Sequence, residues 1–128
     1  MAKRTGGRPS GTRRGEDATA PDSGDLIWIS FTPQAGREQA GRRPGLVLSP
    51  RSYNHKVGLC LVCPVTHHIK GYAFEVALPV GLPIQGVVLA DHLKSADWRE
   101  RGCAPIASVP AEVLDEVRAK LKPLLGMD

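Results

Sequence analysis

The apolar residues of this chain fall in short runs that are bounded by residues favouring turns. Six such runs, rich in β-branched side chains, cover residues 25–31, 45–49, 58–65, 73–78, 86–90 and 103–107. Fourteen glycines and eleven prolines among 128 residues favour short elements joined by tight turns over a bundle of long helices. The pattern therefore predicts six β-strands in a mainly β domain.

One segment near the C-terminus has helical spacing instead. Its apolar residues are Val113, Leu114, Val117 and Leu121, and charged residues occupy the other faces. Pro110 suits the first turn of this helix, and Pro123 should end or kink it. Because closing a sheet on itself removes exposed strand edges, short strands with one amphipathic helix indicate a small β-barrel with a C-terminal α-helix.

The composition predicts the domain organisation of the chain and the cellular compartment in which it works. Residues 1–23 lack Val, Ile, Leu, Phe, Tyr and Trp, so we expect a disordered basic tail before one domain at residues 24–128. No run approaches the ~20 apolar residues that span a bilayer, so we expect no membrane association. The three cysteines are an odd number, which fits reduced thiols in the cytoplasm. The net charge of +4 favours partners that carry phosphate, although this signal is weak alone.

Several enzyme classes lack their usual motifs here. There is no phosphate-binding glycine loop of the P-loop or Rossmann type, no nucleophile elbow and no H-E-x-x-H sequence. Cys60 and Cys63 have C-x-x-C spacing, which is typical of redox or zinc sites. In a strand, however, an odd separation sends the two thiols to opposite faces, so we interpret both as core residues.

The first polar segment that carries chemistry is the glycine-hinged, charge-dense loop at residues 36–44. Pro44 restricts the backbone of Arg43 to extended conformations. A guanidinium held in this way suits a forked contact with phosphate. The alternative is a surface arginine paired with Glu38.

Two further polar segments follow later strands. Residues 66–71 offer the Thr66 hydroxyl, the imidazoles of His67 and His68 and the Lys70 ammonium, a set suited to handling phosphate and protons near neutral pH. A metal site is disfavoured, because neighbours in an extended segment point to opposite sides and no third ligand has a recognised spacing. Residues 91–98 form a charge-mixed turn that can lie beside the other two. The tryptophans, Trp28 and Trp98, suit packing better than base stacking.

Taken in order, these residues resemble the MazF (PemK/Kid) family of toxin endoribonucleases. The matching pieces are Gly24-Asp25-Leu26-Ile27-Trp28, Glu38-Gln39-Ala40-Gly41-Arg42-Arg43-Pro44, Leu48-Ser49-Pro50, Tyr53-Asn54, Cys63-Pro64-Val65-Thr66, Lys70-Gly71-Tyr72, Phe74-Glu75-Val76, and Leu89-Ala90-Asp91 through Lys94-Ser95 to Trp98-Arg99. Each piece is short, but the ordered set is specific and spans residues 24 to about 125.

The resemblance implies an SH3-like β-barrel with a C-terminal helix that works as a homodimer. It implies sequence-specific cleavage of single-stranded RNA without a metal or other cofactor, leaving a 2′,3′-cyclic phosphate and a 5′-hydroxyl. It also implies a cognate antitoxin whose acidic, disordered segment blocks the RNA groove. Arg43 and Thr66 correspond to the family's catalytic arginine and threonine, and Glu38 to an acidic residue of the active-site loop.

The resemblance leaves the proton carriers and the contacts to RNA open. Glu38 and His67 are the candidates for the first proton transfer, and His67 stands where the best-known relative has a second threonine. The catalytic positions of the Kid branch correspond to Arg37, Leu89 and Asp91, so that mechanism does not carry over intact. Candidate RNA contacts, taken from the three polar segments, are Gln39, Lys70, Asp91, His92 and Lys94. Two alternatives stay open: a gyrase-poisoning toxin that is not an enzyme, and a catalytically silent module that binds RNA or antitoxin.

Overall fold

The computed structural model describes residues 20–31 and 41–128. This part of the chain contains seven strands: β1 (Asp25–Ser30), β2 (Arg42–Val47), β3 (Cys60–Thr66), β4 (Glu75–Ala77), β5 (Val87–Leu89), β6 (Lys94–Ala96) and β7 (Ala104–Ser108). It also contains the helices α1 (Arg51–Val57), α2 (Trp98–Arg101) and α3 (Ala111–Leu124), with a 3-10 turn at Ala90–His92. None of these helices is long and apolar enough to cross a membrane.

All the strands pair in antiparallel fashion, and β3 is shared by two parts of the sheet. The strand order is β4-β5-β3-β2-β1-β7, with β6 pairing the first half of β3 and β5 pairing its end. Among the strands described, no ladder joins β7 to β4, so the sheet is barrel-like without being closed. The predicted mainly β fold with a C-terminal helix is confirmed.

Side chains alternate between the two faces of the sheet and build two apolar cores. Leu26 belongs to the core beneath α3, whereas its neighbour Ile27 belongs to the core beneath α2. The two thiols follow the same rule, since Cys63 lies in the first core and Cys60 in the second. Both are completely buried, so their interpretation as core residues is confirmed.

The C-terminal helix also agrees with its sequence pattern. Val113, Val117 and Leu121 are buried against the sheet, at the spacing that predicted the helix. Pro110 lies just before the first helical residue rather than within the first turn, and Pro123 precedes the last helical residue. A proline near the end is tolerated because few intrahelical bonds remain to be lost there.

Residues 20–23, which precede the predicted start of the domain, contact it. Ala20 is 2% exposed, and the Asn54 side-chain amide donates a hydrogen bond of 2.8 Å to the carbonyl of Pro21. The backbone N–H of Arg51 donates to the Asp22 carboxylate at 2.9 Å. Residues 20–23 therefore pack onto the domain ahead of the boundary predicted at residue 24. The remainder of the expected tail, residues 1–19, lies outside the described residues.

Three short elements were not predicted. Helix α1 buries only Asn54, whose carboxamide oxygen accepts a hydrogen bond of 2.6 Å from the Ser49 hydroxyl. Helix α2 and β6 replace the turn expected at residues 91–98, and the Asp97 side chain caps α2 through the backbone N–H of Glu100. Each of these elements is three to seven residues long and buries a single residue, so no apolar period reveals it.

Candidate functional site

A groove of about 600 Å³ lies where β2 begins and β3 ends. Its polar lining includes Arg42, Arg43, Thr66, His67, His68 and Gln85, and its apolar lining includes Trp28, Val65 and Ile84. Strand β2 begins three residues earlier than predicted, so Arg43 is held on a strand and not in the preceding loop. The position of its backbone is therefore set by the sheet.

Antiparallel pairing of β2 and β3 brings Arg43 and Thr66 to the same end of the sheet. Strands β2 and β3 are antiparallel, and Gly45 is paired with Pro64. The pairing of these two strands ends there, and Arg43, two residues before Gly45, and Thr66, two residues after Pro64, both line the groove. The groove therefore holds a guanidinium and a hydroxyl together.

Gly86 brings the segment before β5 close to the end of β3. Its φ of +128° is one that other residues rarely adopt, and a Cβ at this position would lie 2.2 Å from the carbonyl oxygen of Thr66. Only glycine fits such an approach. This contact sets Ile84 and Gln85 as one wall of the groove.

The chain turns immediately after Thr66. The Thr66 hydroxyl oxygen accepts a hydrogen bond of 3.1 Å from the backbone N–H of His68. The rings of His67 and His68 stack with their centroids 4.7 Å apart and both line the groove. The expectation that they point to opposite sides is wrong, because the strand ends at Thr66 and its alternation ends with it. No cluster of three His, Cys, Asp or Glu side chains suited to a metal occurs in the described part of the chain.

A second groove of about 320 Å³ lies on the other side of Thr66 and His68, which line both. Its remaining lining comes from Lys70, Tyr72, Glu75, Leu89 and His92. Loss of hydration raises the pKa of the Tyr72 phenol, and the Asp91 and Glu75 carboxylates raise it further. The second groove thus carries negative as well as positive charge.

Only some of the RNA contacts predicted from the sequence line these two grooves. Lys70 and His92 line the second groove, and Asp91 lies beside it, with its carboxylate 3.9 Å from the His92 Nε2 atom. Lys94 lines neither groove, and its ammonium sits 5.7 Å from the centroid of the Phe31 ring. Glu38 and Gln39 lie outside the described residues.

The two tryptophans differ in their surroundings. Trp98 is buried, as expected, and its indole N–H donates a hydrogen bond of 2.9 Å to the carbonyl of Asn54. Trp28 was expected to pack like Trp98, but it is 38% exposed and lines the first groove. The exposure of Trp28 could not be predicted from the sequence, because a continuous apolar run shows no alternation between a buried and an exposed face.

A barrel-like sheet with a C-terminal helix and a groove lined by arginine, threonine and histidine defines a small, mainly β protein with a cationic polar site. A family model described as PemK-like, MazF-like toxin of type II toxin-antitoxin system matches residues 22–125. The chain belongs to that family.

Individual relatives extend the likeness over most of the chain. The endoribonuclease toxin MazF of Escherichia coli strain K12 is 51% identical over 106 residues, which cover 83% of this chain and 95% of the relative. A crystal structure of MazF from Deinococcus radiodurans is 60% identical with a TM-score of 0.78, covering 84% of this chain and 98% of that one. A MazE-MazF crystal structure from the same organism is 58% identical with a TM-score of 0.78, covering 85% and 99%.

Proposed function

We propose that this toxin is an endoribonuclease that cuts single-stranded RNA by attack of a 2′-hydroxyl on the adjacent phosphorus. The P–O5′ bond breaks as the P–O2′ bond forms, and the leaving 5′ oxygen takes up a proton, so the products are a 2′,3′-cyclic phosphate and a 5′-hydroxyl end. The observation that carries the proposal is the shared groove of Arg43 and Thr66. The 51% identity to a relative named as an endoribonuclease supports the same activity.

Arg43 and Thr66 suit the stabilisation of the transition state. As the ribose oxygen attacks, negative charge accumulates on the phosphate oxygens, and a guanidinium aims several donors at them while staying charged. The Thr66 oxygen accepts from the N–H of His68 and keeps its own O–H proton to donate. A second donor on the same phosphate is thereby supplied.

The proton of the 2′-hydroxyl must go to a base, and we assign this role to Glu38. A guanidinium, with a pKa above 12, is a poor base at neutral pH. His67 is the second candidate because its imidazole lines the groove. Glu38→Gln and His67→Ala, measured separately over pH, discriminate the two: the base is the residue whose replacement removes the acidic limb of the rate profile.

We assign recognition of the RNA sequence to residues around the two grooves. Single-stranded RNA is recognised through splayed bases and stacking as well as through phosphate. Lys70 and His92 line the second groove and are proposed contacts for the strand leaving the cleavage site. Gln39, Asp91 and Lys94 are retained as proposed RNA contacts. Trp28 is added to them as a stacking surface for a base.

An antitoxin with an acidic, disordered segment is the proposed protein partner. The MazE-MazF structure from Deinococcus radiodurans supports a partner of this class. The net charge of +4 favours an acidic segment over a basic one. We propose that the segment covers the RNA groove of a toxin homodimer and that the toxin acts on messenger RNA in the cytoplasm.

The decisive experiment is incubation of the purified protein with a long single-stranded RNA in the presence of EDTA. Cleavage at a recurring short sequence with cyclic phosphate and 5′-hydroxyl ends supports the proposal, including independence from metal. Binding with intact RNA would favour a silent binding module. Trapping of DNA cleavage by gyrase, with RNA untouched, would favour a gyrase poison.

A further inference from the structure

We infer that Glu75 is a positioning residue for RNA binding, because its carboxylate holds the loop that carries the side chains of the second groove. This inference rests on the proposed function. One carboxylate oxygen of Glu75 accepts a hydrogen bond of 2.9 Å from the backbone N–H of Lys70. The other accepts one of 2.8 Å from the backbone N–H of Gly71.

The two hydrogen bonds close the loop at residues 66–75. The Thr66 hydroxyl holds the beginning of the loop through the N–H of His68, and Glu75, the first residue of β4, holds the far end. Glu75 itself is fixed in the sheet by its pairing with Leu89 of β5. The backbone of Lys70 is thus tied to a rigid strand, and bonds to a charged acceptor are stronger than neutral ones.

Because Glu75 is negatively charged, its effect on RNA binding can have either sign. A carboxylate on the wall of a groove that binds a polyanion opposes binding by Coulomb repulsion. Here both oxygens are engaged by backbone N–H groups, and no carboxylate among residues 20–31 and 41–128 is within ion-pair distance of the Lys70 ammonium. The ammonium therefore stays available for RNA phosphate. Positioning and simple repulsion consequently predict opposite effects when Glu75 is neutralised.

Two substitutions separate the effect of the charge of Glu75 from the effect of its side-chain length. Glu75→Gln keeps the length of the side chain but offers one acceptor oxygen and removes the charge, whereas Glu75→Asp keeps the charge and withdraws it by one methylene. Glu116→Gln is the matched control, since Glu116 is an exposed residue of α3 that lines neither groove. Because the freed N–H groups face solvent, the variants are expected to fold, which thermal unfolding checks.

The experiment measures kcat and KM on an oligonucleotide containing the cut site mapped with the parent protein. It also measures amide hydrogen exchange at Lys70 and Gly71. Positioning predicts faster exchange at both amides and a KM raised at least about fivefold in both Glu75 variants, with a smaller change in kcat, because a small misplacement of a binding group is costly. Glu116→Gln should match the parent.

Three results would overturn the inference. If Glu75→Gln bound RNA more tightly than the parent, repulsion of RNA would be the only effect of the Glu75 carboxylate. Faster exchange with unchanged KM would make Glu75 a structural residue alone, and unchanged exchange would show that it does not hold the loop. A parent protein that cuts no RNA would instead reject the proposed function, and the amide exchange data would then test separately whether Glu75 holds the loop.

Discussion

Arg43 and Thr66, distant in the sequence and on different strands, line one groove at the same end of the sheet. The relationship follows from the antiparallel register of β2 and β3, in which Gly45 is paired with Pro64. We propose that this guanidinium and this hydroxyl, held on two adjacent strands, act as donors to one phosphate, since preorganised donors stabilise charge that develops during a reaction.

Replacing Arg43 tests this pair most directly. Arg43→Ala should lower the single-turnover cleavage rate by at least about 100-fold, because loss of one oxyanion donor costs ~3 to 4 kcal/mol of transition-state stabilisation. Arg42→Ala, the comparison variant, removes the adjacent groove arginine and should cost more in RNA affinity than in rate. A folded Arg43→Ala protein that cuts at the parental rate would remove Arg43 from the mechanism.

The role of Thr66 depends on its hydroxyl. Thr66→Val keeps the shape of the side chain but removes both the O–H donor and the acceptor of the His68 N–H, so we expect cleavage to fall at least about 10-fold. Thr66→Ser keeps the hydroxyl and should retain most of the activity. Equal rates for the two variants, measured on one oligonucleotide, would contradict this role.

Trp28 provides an optical test of binding. An oligonucleotide with a 2′-deoxy sugar at the cut position cannot be cleaved, and stacking of a base should quench the fluorescence of the exposed indole. Trp28→Phe should abolish the signal, since the remaining tryptophan, Trp98, is buried. Trp28→Ala should weaken binding by about 1 to 3 kcal/mol, the usual value for one stacked base. Unchanged affinity in Trp28→Ala would exclude stacking.

Gly86 is expected to be essential for the fold around the groove. In Gly86→Ala the new methyl group would meet the carbonyl oxygen of Thr66 at 2.2 Å, and φ is +128°, so unfolding free energy should fall by about 2 kcal/mol or more. Gly81→Ala is the control, because Gly81 has φ of +100° but open space around it. Urea unfolding compares them, and equal losses would show that the contact with Thr66 is unimportant.

Stability should decline at alkaline pH through the buried thiols. Burial raises the pKa of Cys60 from 9.0 to about 12, and Cys103 adds to the shift. Above pH ~9 the unfolded chain loses a proton that the native state keeps, so this contribution is complete below pH ~9 and is lost as pH rises toward ~12. Cys60→Ala should show a decline that is shallower by up to about 1.4 kcal/mol per pH unit. Parallel stability profiles between pH ~8 and ~11 would contradict it.

Elements with a regular apolar pattern could be predicted from sequence. Helix α3 was recognisable because Val113, Val117 and Leu121 repeat at its period, and the opposite burial of Cys60 and Cys63 followed from strand alternation. Helix α1 had no such signal. It is organised around the buried amide of Asn54, whose partners Pro21 and Ser49 precede it in the chain.

The mainly β class, the C-terminal helix and the polar segments that carry Arg43 and Thr66 could be predicted because they depend on local periodicity and residue chemistry. Three features could not: the groove that these two residues share, the exposure of Trp28 to it, and the hydrogen bonds from the N–H groups of Lys70 and Gly71 to Glu75. The reason is physical: register, burial and hydrogen bonding across strands depend on which segments meet, and no single segment contains that information.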